Sequence, residues 1–131
     1  MLQKNNKWRV LRVFFEDPSP NAGFQLREIS KKIHLAPISV KNYLVELGKE
    51  DLIVKIKHRT HNYPLYIANR ENELFRLLKK IDTILCLRNS GLLEYINDSC
   101  MPEVIILFGS AAKGEDLMES DIDLFIQGKE K

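Results

Sequence analysis

Val104-Ile105-Ile106-Leu107-Phe108-Gly109-Ser110-Ala111-Ala112-Lys113-Gly114 is followed, after a short acidic spacer, by Ser120-Asp121-Ile122-Asp123-Leu124-Phe125-Ile126. The first stretch opens on a continuous apolar run, the pattern of a strand covered on both faces. It ends in Gly-Ser, where a glycine lets a backbone N–H approach a ligand and the chain turns into a helix whose N-terminus can hold a phosphate. The second stretch predicts another strand. Side chains alternate faces along a strand, which puts Asp121 and Asp123 on one side and Ile122, Leu124 and Ile126 against the core. Two carboxylates so placed repel unless a cation lies between them, and Mg²⁺ bridging to substrate phosphates is the natural occupant.

Working toward the N-terminus, Leu92-Leu93-Glu94-Tyr95-Ile96 predicts a short helix, separated by Gly91 from a longer one. In the longer helix Leu74, Leu78, Ile81 and Leu85 alternate spacings of four and three, a stripe suited to packing or to a seam with a second chain. Asn69 is the expected cap of that helix, with Glu71 and Glu73 in its first turn. Ahead of it, Leu52-Ile53-Val54-Lys55-Ile56-Lys57 and Tyr63-Pro64-Leu65-Tyr66-Ile67 read as two strands joined by the basic loop His58-Arg59-Thr60-His61-Asn62.

Three helices come first. Trp8, Leu11, Phe14 and Phe15 recur at helical spacing between Gln3 and Phe15, and Asp17 to Gly23 breaks the chain as a loop. Leu26, Ile29 and Ile33 form the buried side of a second helix. Pro37 suits the first turn of a third, with Val40, Leu44 and Leu47 as its buried stripe and Gly48 as its terminator. That burial leaves Ser39, Lys41 and Asn42 near the exposed start of the third helix. These groups can reach base edges or phosphates in a DNA major groove. Lys55, Lys57 and Arg59 on the hairpin would lie beside the DNA backbone, where each cation gains by displacing counterions. His34, His58 and His61 read as solvated side chains rather than metal ligands, because no third ligand accompanies the His-x-x-His spacing.

Charge divides the chain in the same way. Residues 1–70 carry 13 basic and 6 acidic side chains, while residues 71–131 carry 7 basic and 12 acidic. The resulting +7 and −5 are hidden in a net charge of +2. A basic half followed by an acidic half predicts two modules, the first with a polyanionic partner. At 44% hydrophobic residues the chain is not intrinsically disordered. No apolar run reaches the roughly 20 residues that span a bilayer. The start lacks the apolar stretch and small-residue cleavage site of a signal peptide. Cys86 and Cys100 are too few for a disulfide framework and predict two reduced thiols in a cytoplasmic protein.

Residues 8–70, with Leu26-Arg27-Glu28-Ile29, then Val40-x-x-Tyr43-Leu44-x-x-Leu47, then Leu52-Ile53-Val54 and a basic hairpin, resemble the winged helix-turn-helix of archaeal and bacterial transcriptional regulators. The resemblance implies binding to double-stranded DNA through Ser39, Lys41, Asn42, Lys55, Lys57 and Arg59. Ala36 departs from it, standing where such regulators often carry a Ser or Thr that caps the recognition helix.

Residues 103–127, with Gly109, Ser110, Lys113, Gly114, Ser120, Asp121, Asp123 and Leu124, resemble the DNA polymerase β superfamily, most closely the minimal nucleotidyltransferases of prokaryotes. That resemblance implies a nucleoside triphosphate bound by Gly109, Ser110 and Lys113, and Mg²⁺ ligated by Asp121 and Asp123 as the catalytic carboxylates. Transfer of a nucleoside monophosphate to a protein or nucleic-acid hydroxyl would follow, including the antitoxin role in which a toxin protein is the acceptor. Such enzymes carry a third carboxylate on a later strand. The sequence ends at Lys131, and Glu130 lies too close to Asp123 to serve. Three expectations stay open: a fragment of a longer protein, a degenerate domain kept as a nucleotide-sensing or dimerisation element, or half of a site that a protein partner completes.

The fold class expected is α/β in three segments. Residues 1–70 form a winged helix-turn-helix, 71–98 connecting helices that dimerise, and 99–131 a partial nucleotidyltransferase-like segment. The first functional reading is a homodimeric DNA-binding transcriptional regulator. The second is a Mg²⁺-dependent nucleotidyltransferase.

Overall fold

The computed structural model describes residues 4–18, 23–117 and 120–128. The middle of the expected loop at 17–23 lies outside them, as does Glu130. The chain is a mixed α/β protein that divides into two compact units, Met1–Phe75 and Arg76–Lys131.

In the first unit, α1 (Asn6–Glu16) starts where the Asn5 side chain accepts a hydrogen bond from the Trp8 N–H at 3.1 Å. Trp8, Val10, Leu11, Val13, Phe14 and Phe15 are all buried, so α1 is a core helix and not a surface one. Phe14 meets Phe24 edge-on at 5.6 Å between ring centroids, and Phe15 meets Trp8 at 5.3 Å and Phe75 at 5.4 Å.

Helix α2 (Leu26–Ile33) begins with a reciprocal capping box between Gln25 and Glu28. It ends at His34, whose φ of 55° is left-handed. There Leu35 donates its N–H back to the Ser30 carbonyl, and the Arg9 guanidinium donates to the Ile33 carbonyl. Helix α3 (Pro37–Lys49) follows Ala36, which supplies no side-chain cap, and buries Val40, Leu44 and Leu47.

The expected terminator Gly48 does not end α3. The helix runs through it to Lys49, and the left-handed residue is Asp51 at φ 60°. Asp51 and Leu52 turn their N–H groups back to the Gly48 and Leu47 carbonyls, which closes the helix end. The Asn69 and Asn72 side chains then bond the Asp51 carbonyl at 2.8 and 2.9 Å.

Strands β1 (Ile53–Lys57) and β2 (Pro64–Ala68) form an antiparallel pair in the register Ile53↔Ala68 to Lys57↔Pro64. Phe24 exchanges both backbone hydrogen bonds with Tyr66 at 2.8 Å, tying the approach to α2 onto the hairpin. Tyr66 is 7% exposed, and burial raises its hydroxyl above the ordinary value of 10.0. The folded state therefore holds that proton to higher pH than the unfolded chain does. It follows that stability is lost as pH rises above about 10, through the folded value. Denaturant titrations at stepped alkaline pH are expected to show a shallower loss for Tyr66→Phe than for the wild type. Parallel curves would exclude Tyr66 as a source of the loss.

Helix α4 (Glu73–Asn89) is capped by Asn72, whose side chain accepts from the Leu74 and Phe75 N–H groups at 2.8 and 3.2 Å. The expected cap, Asn69, is instead committed to the Asp51 carbonyl. The expected stripe is not the fully buried face of α4, although its members Leu78 and Leu85 are half-buried. Phe75, Lys79, Asp82 and Leu87 are the buried residues of α4, whereas Leu74 and Ile81 are exposed. The fully buried Phe75 ring sets the rotation of the first turn, which sequence spacing alone could not fix.

In the second unit, α5 (Leu92–Cys100) precedes β3 (Val104–Phe108), the single-turn α6 (Ser110–Lys113) and β4 (Asp123–Gln127). The strands pair antiparallel from Val104↔Gln127 to Phe108↔Asp123. One sheet face, carrying Ile105, Leu107 and Leu124, lines an apolar cleft of about 310 Å³ with Ile84, Leu87, Leu93 and Asn97. On the other face Val104, Ile106, Phe108 and Phe125 are 41–52% exposed. The expectation of cover on both faces is therefore corrected, because the described helices close over only one of them. Ile122 and Ile126, expected at the core, are exposed as well; Leu124 alone of the three is half-buried. Cys86 is half-buried and Cys100 exposed, and neither forms a disulfide among the described residues. No helix among the described residues is long and apolar enough to cross a membrane.

Candidate functional site

Phe108 ends β3, and Gly109 turns the chain at φ 76°, ψ −155° into α6. A glycine is required there twice over. An L side chain is strained at that φ, and a Cβ would fall on Oδ2 of Asp123, across the strand pair. The same packing brings the Asp123 carboxylate against the backbone of the turn. Ser110, half-buried, is the first residue of α6, and Lys113 in its only turn is exposed.

Asp123 is the first residue of β4 and half-buried, but Asp121 is not on the strand. It precedes β4 in exposed, irregular chain. The strand alternation that was expected to orient both carboxylates therefore reaches only Asp123. The approach to β4 is organised by a different device, in which Leu117 and Ser120 close on each other. The Leu117 N–H donates to the Ser120 hydroxyl oxygen at 2.9 Å, and the Ser120 N–H to the Leu117 carbonyl at 3.0 Å.

The exit from α6 rests on α4. Gly114 adopts φ 69°, and a Cβ there would strike the Arg76 carbonyl. One turn further along α4, the Lys79 ammonium meets the Asp116 carboxylate at 2.8 Å, with the two side chains only 4% and 14% exposed. The second Asp116 oxygen, Oδ1, is buried without a hydrogen-bond partner among the described residues. Sequence reading missed this pair. Its one signal is a lysine on a helix otherwise rich in leucine and isoleucine, which ordinarily means a solvated face.

In the first unit, Lys41 and Asn42 are exposed and Ser39 half-buried on the first turns of α3. Lys55, Lys57 and Arg59 are exposed on the hairpin and its loop. The rings of His58, His61 and Tyr63 gather in that loop. Among the described residues, no group of three or more His, Cys, Asp or Glu side chains is placed to hold a metal ion.

No curated protein and no solved structure matches the chain. One family model does. Residues 91–131, which span α5, β3, the Gly109–Ser110 turn, α6 and β4, match polymerase beta, nucleotidyltransferase, and this part of the chain is similar to that family.

Proposed function

We propose that residues 91–131 carry part of a nucleotidyl-transfer site. It takes a nucleoside triphosphate with Mg²⁺ and moves the nucleoside monophosphate onto an acceptor hydroxyl, with pyrophosphate leaving. The observation that carries this reading is the approach of the Asp123 carboxylate to the Gly109 backbone, where no side chain could intervene. A turn that donates N–H groups to phosphate oxygens thus adjoins a carboxylate able to ligate a cation.

The donor set suits Mg²⁺, which is commonly held by one or two carboxylates together with substrate phosphates and water. Asp121 and Asp123 are the ligands on this reading, and the ion supplies charge neutralisation on the phosphates. The Gly109–Ser110 turn orients the triphosphate through its N–H groups and the Ser110 hydroxyl. Lys113 adds a cation at the end of the same turn. A further carboxylate, supplied by a protein partner or by additional chain, activates the acceptor.

The test is Mg²⁺-dependent binding of each nucleoside triphosphate, read by calorimetry, alongside pyrophosphate release with candidate acceptors. Asp121→Asn with Asp123→Asn is expected to abolish both and leave thermal unfolding close to the wild type. Nucleotide affinity that ignores both Mg²⁺ and the double change would overturn the reading.

A second reading is supported by different residues. The basic first unit has the order helix, helix, helix, hairpin, with Lys41, Asn42, Lys55, Lys57 and Arg59 all exposed. That order and those groups favour a winged-helix module that binds duplex DNA and regulates transcription, with Ser39, Lys41 and Asn42 at the bases. The exposed Leu74 and Ile81 on α4 favour a homodimer, and a cysteine count of two, too few for a disulfide framework, favours a reducing, cytoplasmic setting.

A further inference from the structure

The loop between β1 and β2 is short, cationic and built around three rings. His58 and Tyr63 stack at 4.6 Å between centroids with planes 22° apart, and His58 and His61 at 5.1 Å and 21°. The planes of His61 and Tyr63 differ by only 7°, at 6.0 Å. His61 is exposed, and the other two are half-exposed. We propose that this hairpin tip is a stacking site for the bases of single-stranded nucleic acid. The proposal draws on the first unit alone and does not depend on nucleotidyl transfer.

Three observations point to that ligand. First, the rings are held in place. The His58 N–H donates to the Tyr63 carbonyl at 2.9 Å, and the Asn62 N–H returns to the His58 carbonyl at 3.1 Å. The His58 imidazole accepts at Nδ1 from the N–H groups of Thr60 and His61, both at 3.2 Å. His58 is thereby a positioning residue, and His61 and Tyr63 present the ring faces. Nδ1 being engaged also argues against a metal ion at this loop.

Second, near-parallel rings at the protein surface extend naturally by one more flat, apolar-faced partner. Unpaired bases offer such faces, whereas a duplex buries them in its own stack. Third, Lys55 and Lys57 lie on the strand that leads into the loop and Arg59 within the loop itself, and no Asp or Glu occurs between Leu52 and Ala68. None of the three cations forms an ion pair among the described residues. A backbone of phosphates on either side of a stacked base meets that charge.

The experiment is a fluorescence-anisotropy titration of the full chain with labelled oligothymidine and oligouridine of about 20 nucleotides, a length that exceeds a typical single-strand site. A mixed-sequence duplex of the same length is the comparison, and all are run at several salt concentrations. Either single strand is expected to bind more tightly than the duplex, the tighter of the two naming DNA or RNA as the source. His61→Ala with Tyr63→Ala is expected to weaken binding by about tenfold or more, with the salt dependence unchanged. His61→Phe with Tyr63→Phe keeps the rings and should stay within about twofold of the wild type. Lys55→Ala, Lys57→Ala and Arg59→Ala together should lower the log–log salt slope by about two.

Duplex binding tighter than either single strand would overturn the site and favour the regulator reading instead. Alanine variants that bind as well as the wild type, or phenylalanine variants as weak as the alanine ones, would also overturn stacking. The phenylalanine pair guards against a folding defect, because it keeps the bulk of both rings.

Discussion

On the proposed nucleotidyl-transfer reading, Gly109→Ala is expected to weaken Mg²⁺-dependent nucleotide binding and to lower pyrophosphate release by about a hundredfold, the scale of rate loss that follows a misplacement of about 1 Å at a reacting site. Two causes act together. At φ 76°, ψ −155°, a region essentially confined to glycine, an alanine is strained by roughly 1–3 kcal/mol. Its methyl group would also clash with Asp123 Oδ2, so either the turn or the carboxylate must move. The turn cannot retreat freely, because it is covalently the end of β3 and Phe108 is paired with Asp123 in the strand register. The carboxylate is therefore the group displaced, and the proposed cation site would go with it.

Strain of this size leaves most of a domain's stability in place, so the loss of binding should exceed the loss of folding. Gly128→Ala is the control. A Cβ at Gly128 meets nothing within 4 Å, so that variant should bind and melt as the wild type does. If Gly109→Ala bound nucleotide normally, the approach of Asp123 to the turn would have no part in the site.

How much of this could be read in the sequence depends on the range of the interaction. The helices α1, α2 and α3 were legible because their buried residues recur at 3.6-residue spacing, and Pro37 marks its own position at a helix start. The Gly109-Ser110 turn and the two strands flanking it were legible for a related reason. An apolar run, a glycine and a second apolar run each carry their own local signal. Helix ends were less so. Gly48 and Asn69 are chemically suited to the roles expected of them, but tertiary hydrogen bonds gave those roles to Asp51 and Asn72.

Asp121 shows the limit of period-two reasoning. The Asp-x-Asp spacing looks like a strand, yet β4 begins at the second aspartate. Pairing stops where β3 turns away at Gly109, which leaves Asp121 with no strand opposite it. The rotation of α4 was not legible at all. Its apolar residues lie on more than one face, and which face is buried was decided by Phe75 and by Lys79, the latter having a partner far along the chain. A lysine at a buried position makes sense only once Asp116 is known to lie against it.

That pair carries the second large effect. Lys79→Met is expected to destabilise the protein by about 3–5 kcal/mol, because it leaves the Asp116 carboxylate buried without its counter-charge. The cost is not that of a surface ion pair, which is typically below about 1 kcal/mol, since Lys79 is 4% exposed and Asp116 14%. Asp116 already has one buried oxygen without a hydrogen-bond partner among the described residues, so losing Lys79 would strip the other.

The double change Lys79→Met with Asp116→Leu removes both charges and should recover most of the loss, since an apolar pair of similar volume often replaces a buried ion pair at little cost. Denaturant midpoints of the four proteins in the cycle measure the coupling directly. The functional consequence is separable from stability. Asp116 leads into the Leu117–Ser120 closure and on to Asp121, while Gly114 rests on the Arg76 carbonyl one turn away from Lys79. With this anchor replaced by an apolar contact, the double variant should fold yet bind nucleotide more weakly than the wild type, because a directional charge pair no longer fixes the path into Asp121. A Lys79→Met penalty below about 1 kcal/mol would mean that water reaches the pair, and the anchoring role would then fall to Gly114 alone.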